Sequence, residues 1–281
     1  MQSNPQTHPA IETGHVTPLL DSIRLKHGPA AQLGRFFLLA DQAAYDRGVR
    51  LQLHTDLRSL IDVNRQMQTY WGAPMVPIFD PSHSDLSPEN AFWISGHDQN
   101  GTVVATQAAR FLDLTQSSAA AELESMRLFF ARPEPHLAAG ARCHVDCPAA
   151  SQLTGRVIYS GGGWYHPKYR GCGLSRILPR ISRALAYTQW NSDYTFSVVE
   201  TVLIEKNVYR SYGYTRHSPS IRLTGSYRED LELELIWMPQ DEMLDDMAAY
   251  IRASAENEVR STETADTNML PLRRQGNNRR S

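Results

Sequence analysis

The stretch YHPKYRGCGLSRILPRISRAL, residues 165–185, decides how this chain is read. A proline and an arginine lead into Gly171-Cys172-Gly173, and an apolar-periodic run begins at once. Leu174, Ile177, Leu178, Ile181, Ala184 and Leu185 recur at helical spacing, so a helix starts where the backbone is freest. Pro179 inside that run removes a backbone donor and is expected to bend or split the helix. Upstream, GRVIYSGGGWYHP (155–167) begins as a strand and passes through three glycines. Glycines inside a strand point to a bulge or to close approach of another backbone or a ligand. A helix start presents free N–H groups and a positive dipole end, glycine admits an anion to the backbone, and Arg170 adds charge. A phosphate or pyrophosphate site is one reading, and a plain strand-to-helix turn is the other. The P-loop pattern fails for want of Gly-Lys-Ser/Thr, and the dinucleotide-binding pattern lacks its third glycine.

Outward from this stretch the chain reads as alternating elements. A helix is expected from Ala31 to Arg47, ended by Gly48, then a strand over VRLQLH (49–54). Thr55 or Asp56 caps a helix carrying Leu57, Leu60, Ile61, Val63 and Met67. Residues 70–90 hold four prolines without a period, a long loop of the functional kind. Asn100-Gly101 marks a hairpin, residues 117–130 read as a helix, and an irregular connection runs through Pro148. After the helix of 174–185 come a strand at 194–201, one short helix in IEKNVYRSY, the strands SIRLTG and LELELIWM, and an acidic helix from Asp241 to about Arg252. Strand, helix and strand across 155–200 imply a parallel pair. The fold class is α/β, with a central mixed sheet flanked by helices. Residues 1–30 are expected to be a flexible tail, 31–240 the domain with an extra N-terminal helix, and 241–281 a C-terminal helix and flexible tail.

With 281 residues, 41% hydrophobic, the chain can bury a sizeable core. A formal net charge of −2 offers no basic field for nucleic acid. Three cysteines argue against a disulfide framework, and no apolar run approaches a membrane span, so a cytoplasmic protein is expected. CHVDC (143–147) lacks the second pair of ligands that structural zinc uses, so no metal is expected. Trp71, Phe79, Trp93 and Trp164 are candidates to line an acceptor pocket, though core packing accounts for most aromatics. Arg273, Arg274, Arg279 and Arg280 suggest a solvated tail.

The segment 155–214 resembles the GNAT (GCN5-related N-acetyltransferase) superfamily. Tyr165-His166-Pro167 gives the hydrophobic-x-Pro step, and Arg170, Gly173 and Ser175 fill the cofactor pattern, with Ser175 in place of the usual Gly or Ala. Tyr209 stands ahead of the Gly-aromatic ending Gly213-Tyr214 at the family's spacing. Val202 replaces the usual asparagine, and Asn207 is the nearby substitute.

The resemblance implies a GNAT-like fold whose split parallel pair binds acetyl-CoA or another acyl-CoA as co-substrate. The pyrophosphate would rest on N–H groups of Gly171, Cys172, Gly173, Leu174 and Ser175 beside Arg170, and the pantetheine arm would pair with the backbone of Trp164, Tyr165 and His166. It implies an N-acyltransferase, with acetyl transfer to a primary amine by direct attack. Tyr209 would protonate the leaving thiolate. The strand before the turn has no carboxylate, so Glu200 is the candidate base by topology; it equally suits a surface or capping role. Two alternatives stand beside this: a catalytically silent CoA-binding or regulatory module, and a longer-chain N-acyltransferase acting on an amino acid or small amine. The acceptor would be a small-molecule or peptide amine, with no nucleic acid or membrane partner, and a homodimer is compatible with the pattern.

Overall fold

The computed structural model describes residues 18–225 and 230–268. Of the expected tails, residues 1–17 and 269–281, with the four terminal arginines, lie outside the described residues. Eight strands form one sheet in the order β1-β2-β3-β5-β6-β8-β7-β4. They are β1 (Arg50–His54), β2 (Ala91–His97), β3 (Val103–Leu114), β4 (Arg142–Val145), β5 (Gly155–Tyr165), β6 (Tyr194–Glu200), β7 (Arg216–Thr224) and β8 (Leu231–Pro239). Every neighbouring pair is antiparallel except β5 and β6, which run parallel. The expected α/β class and the mixed, mostly antiparallel sheet with one parallel pair, flanked by helices, are what the chain has.

Two apolar cores lie on the two faces of the sheet. On one, α1 (Ala30–Tyr45), α3 (Leu174–Trp190) and α5 (Gln240–Asn268) bury Phe36, Phe37, Leu178, Ile181, Met243 and Met247 against Phe92, Ile94, Ile158 and Ile236. On the other, α2 (Leu57–Gln66) and the segments after it bury Leu60, Ile78, Phe79, Leu123 and Phe129 against Trp93, Tyr159, Phe196, Leu233 and Leu235. Asp56 caps α2 through Arg58 N–H at 3.0 Å. The hairpin at Asn100-Gly101 forms with Gly101 at φ +78°. No helix among the described residues is long and apolar enough to cross a membrane.

Several local expectations are corrected. The N-terminal segment is packed from residue 18: Leu19 is fully buried, and Thr188 Oγ1 donates to the His27 carbonyl at 3.0 Å. The helix expected over 117–130 covers only Ala119–Glu124, because the chain turns through Met126 at φ +63°. The connection read as irregular contains β4, an edge strand on β7 that is too short to show alternation. Pro179 does not split α3, which is one helix of 17 residues. The proline leaves the Ser175 carbonyl without its helical donor, while Ile177, Leu178 and Ile181 hold the flanking turns to the core. IEKNVYRSY forms two short helices, Thr201–Glu205 and α4 (Val208–Ser211), broken at Asn207 in a left-handed conformation, φ +55°. The last helix runs to Asn268, well beyond Arg252.

Candidate active site

The parallel seam is short. Val157, Ile158 and Tyr159 pair with Tyr194, Thr195 and Phe196, and pairing then stops although both strands continue. Beyond that point β5 stays with β3 as far as Tyr165, and β6 stays with β8 as far as Glu200. The glycine run makes this parting possible. The β3–β5 register shifts between Thr106 and Ala108, opposite Gly162 at φ +60°. Side chains of β3 take the bulge carbonyls: Thr106 Oγ1 donates to Gly162 at 2.7 Å, and Gln107 Nε2 to Gly161 at 3.0 Å. A Cβ on Gly161 would stand 2.9 Å from the Phe79 ring, and one on Gly163 3.0 Å from Gln107 Oε1. The strand is thus drawn toward β3, away from β6.

A cavity of about 280 Å³ fills the opening and reaches both faces of the sheet. Pro179, Tyr212, Tyr214 and Ile236 line it on the α3 side, and Val76, Phe129, Leu223, Leu231 and Leu233 on the other. Gln107, Ser160, Ser197 and Glu200 supply polar groups at the seam. Of the candidate aromatics, Phe79 backs the glycine run, Trp71 stacks on Trp164 at 5.1 Å, and Trp93 stacks on His54 at 4.3 Å; none of the four lines the cavity.

The glycine turn follows β5 directly. His166 N–H donates to the Val104 carbonyl at 2.8 Å, and Pro167–Tyr169 make one 3₁₀ turn. Gly171 (φ +79°) and Gly173 (φ +84°) then set the start of α3, with Gly173 as its N-cap residue. Trp164 is buried; Arg170, Gly171 and Cys172 are exposed; Leu174 is buried and anchors the first turn. Ser175 Oγ accepts from Ser211 Oγ at 3.2 Å, which ties the turn to α4. Arg170 folds back, its Nε on the Tyr165 carbonyl at 3.1 Å and an Nη on that of Tyr70 at 3.5 Å. A second cation stands here that no local motif could announce. Arg47, just past α1, donates from Nε to the Cys172 carbonyl at 2.6 Å. His166 stands below its ordinary pKa through desolvation, with Lys168 and Arg170 adding repulsion.

The remaining candidates part company. Glu200 ends β6 and lines the cavity. Tyr209 is buried on the α3 side, where its hydroxyl accepts from Arg210 Nε at 3.2 Å and its ring lies 5.0 Å from His217. It does not line the cavity, and Asn207 does not either. Tyr212 and Tyr214 do: Tyr214 stands in the sequence only as the aromatic of the Gly-aromatic ending, and nothing in the sequence singles out Tyr212. Burial raises the Tyr212 phenol above its ordinary pKa and the Tyr165 phenol well above it, with Tyr212 adding to the second shift.

Tyr214 has a further peculiarity. The Arg183 guanidinium carbon lies 4.7 Å from its ring centroid, and Arg183 is 1% exposed. None of the three Arg183 nitrogens, nor the Tyr214 hydroxyl, makes a hydrogen bond of good geometry among the described residues, although the hydroxyl lies close enough to Arg183 and Ser160 to interact with both. Leaving a buried donor unpaired costs about 1–3 kcal/mol, more for a charged group. Gly213 lets the guanidinium in: a Cβ there would meet Arg183 Nη2 at 2.8 Å.

Cys143 is buried on β4 with its thiol pushed up to about 12, chiefly by desolvation. No cluster of three or more His, Cys, Asp or Glu among the described residues could hold a metal ion.

No protein-family model matches the chain, and no curated protein matches it. Among solved structures, the chain is similar to AAC(6')-Ib in complex with Parmomycin and AcetylCoA. Identity is 13% and the TM-score 0.38, over 69% of this chain and 95% of that one. It is also similar to a spermidine N-acetyltransferase from Vibrio cholerae in complex with CoA and spermine, at 12% identity and TM-score 0.35, over 69% and 98%. A nourseothricin acetyltransferase is similar at 10% identity and TM-score 0.33, over 54% and 67%. These are likenesses of chain outline at low identity.

Proposed function

We propose that this chain is an acyl-CoA-dependent N-acyltransferase of the GNAT type, moving an acetyl group to a primary amine. The observation that carries this is the parting of β5 from β6 after Tyr159 and Phe196, immediately ahead of the glycine turn that starts α3. The parting leaves the β6-facing edge of residues 160–165 unpaired by β6, so its N–H and C=O groups can hold the amides of a pantetheine arm. Trp164, Tyr165 and His166 supply the end of that edge. Gly171 to Ser175 offer backbone donors to the pyrophosphate, with Arg170 beside them and Arg47 as the added cation. The thioester then reaches the cavity at the seam.

The amine enters from the opposite face. Val76, Phe129, Leu223, Leu231 and Leu233 select an acceptor whose amine is carried on an apolar body. Glu200 stands at the seam as the base that takes the ammonium proton, so that neutral nitrogen attacks the carbonyl. Tyr209 is the motif's candidate for protonating the thiolate, but it is not among the residues that line the cavity. The same apolar lining favours a second reading, transfer of a longer acyl chain, with the chain in place of the acceptor's body.

Thermal unfolding with acetyl-CoA, butyryl-CoA and octanoyl-CoA tests the donor site. Acetyl-CoA is expected to raise the Tm, and Arg170→Ala combined with Gly173→Gln to abolish the rise; no shift with any of the three sinks the proposal. CoA release with octylamine, phenethylamine and tryptamine tests the acceptor. A preference for octanoyl-CoA over acetyl-CoA would favour the longer-chain reading.

A further inference from the structure

From the buried pair at the cavity wall we infer that Tyr214 is the proton donor to the leaving CoA thiolate, with Arg183 as its positioning residue. The inference rests on the acyltransferase reading. Tyr214 follows the glycine that ends the α4 segment, and it lines the cavity from the α3 side, the side of the glycine turn. Its hydroxyl is buried beside Ser160, the first residue of β5 past the paired part of the seam. A buried hydroxyl held only by imperfect contacts with Ser160 and Arg183, at the wall of a reaction cavity, can turn its proton to an acceptor that enters there.

Arg183 supplies the reason for the choice of tyrosine. Its charge is wholly buried, and the nearest carboxylate, Asp246, is 3.6 Å away and already held by Arg180 at 2.8 and 2.9 Å. The guanidinium therefore has spare donors facing the Tyr214 ring and hydroxyl. When the phenol gives up its proton, Arg183 stabilises the phenolate. Before that, burial keeps the phenol above its ordinary pKa while Arg183 pulls it back, so it is protonated at neutral pH. The charged groups around it are Arg183 and Arg180 on α3, Asp246 on α5 and, across the cavity, Glu200 on β6; Tyr212 is the neighbouring phenol.

The step balances without a further reactant. The amine nitrogen bonds to the thioester carbon, and the C–S bond of the adduct breaks with its electron pair going to sulfur. The Tyr214 O–H proton passes to sulfur and gives CoA–SH. The phenolate recovers a proton from the one the amine nitrogen released, relayed through solvent.

The test uses the full chain, wild type, Tyr214→Phe, Arg183→Met and Tyr209→Phe. Acetyl-CoA affinity is measured by calorimetry, and kcat against pH with whichever of the three amines turns over. Tyr214→Phe is expected to bind acetyl-CoA as wild type does, to lose at least about tenfold in kcat, and to lose the alkaline limb of the kcat profile. Arg183→Met keeps Tyr214 but removes the charge, so the limb moves to higher pH. Spectra of ring-labelled tyrosine, with the Tyr214 signal assigned by Tyr214→Phe, should show the phenol titrating higher in Arg183→Met. A limb that survives Tyr214→Phe, or is lost in Tyr209→Phe alone, overturns the inference. So does a Tyr214 signal that Arg183→Met leaves in place, whatever the enzyme turns over. Failure of wild type to bind any acyl-CoA is a different result: it removes the acyltransferase reading and this inference with it.

Discussion

The two glycine groups that flank residue 165 do opposite jobs. Those of the strand, Gly161 to Gly163, are there for want of room, with Gly162 alone also at positive φ: each would drive a Cβ against Phe79, Ala108 or Gln107 at 2.9–3.2 Å. Those of the turn, Gly171 and Gly173, are there for backbone angle: both sit at positive φ, and a Cβ on Gly171 would meet nothing within 4 Å. The first group opens the seam by packing. The second shapes a surface by conformation and leaves it uncovered. Sterics and angle are separable causes, so substitutions at the two sites should fail in different ways.

Gly161→Val should show the largest effect. Its Cβ would press on Phe79, which is fully buried, and on Tyr159 at 3.1 Å. Overpacking of this kind costs about 1–3 kcal/mol, and the displaced rings lie at the seam. The denaturant midpoint should fall and the acetyl-CoA shift in Tm should vanish. Adding Phe79→Leu should restore part of the stability, because the two residues share one space. An additive double mutant would show that the strand glycines are not packed as described.

How far the sequence reveals this differs between the groups for the same reasons. The turn was legible because its cause is local: glycine, arginine and a helix onset within ten residues. The strand glycines signalled a bulge, but their partners Phe79 and Gln107 are 82 and 54 residues away in the chain. Arg47 at the turn and Arg183 under Tyr214 were invisible for that reason too. Tyr209 was picked from spacing, and spacing carries no information on which tyrosine faces the cavity. Glu200 was picked from topology, the end of the strand beside the split, and it does line the cavity. The missed strand β4 and the curtailed helix after Ala119 lie in the stretch 115–154, where no period reached the length of a stable element.

Arg170→Ala comes next in size, and it should separate binding from folding. Arg170 is exposed and its bonds go to two carbonyls, so its loss should leave stability within about 0.5 kcal/mol. Acetyl-CoA affinity should fall about tenfold, the worth of one charge-assisted contact to phosphate. The loss should shrink as salt rises, since an exposed ion contact is screened. A salt-independent loss would assign Arg170 to holding the turn and not the anion.

Gly171→Ala should be the smallest effect and the cleanest reading of the angle. With open space around the Cβ, the only folding cost is an L-residue at φ +79°, about 1 kcal/mol. The denaturant midpoint should drop by that much and no more. Asn at the same position tolerates the left-handed region better, so Gly171→Asn should cost less than Gly171→Ala despite its larger side chain. That order, the larger substituent being the milder one, can arise only where angle and not space sets the cost. The reverse order would mean that something covers the turn, and the contrast with the strand glycines would collapse.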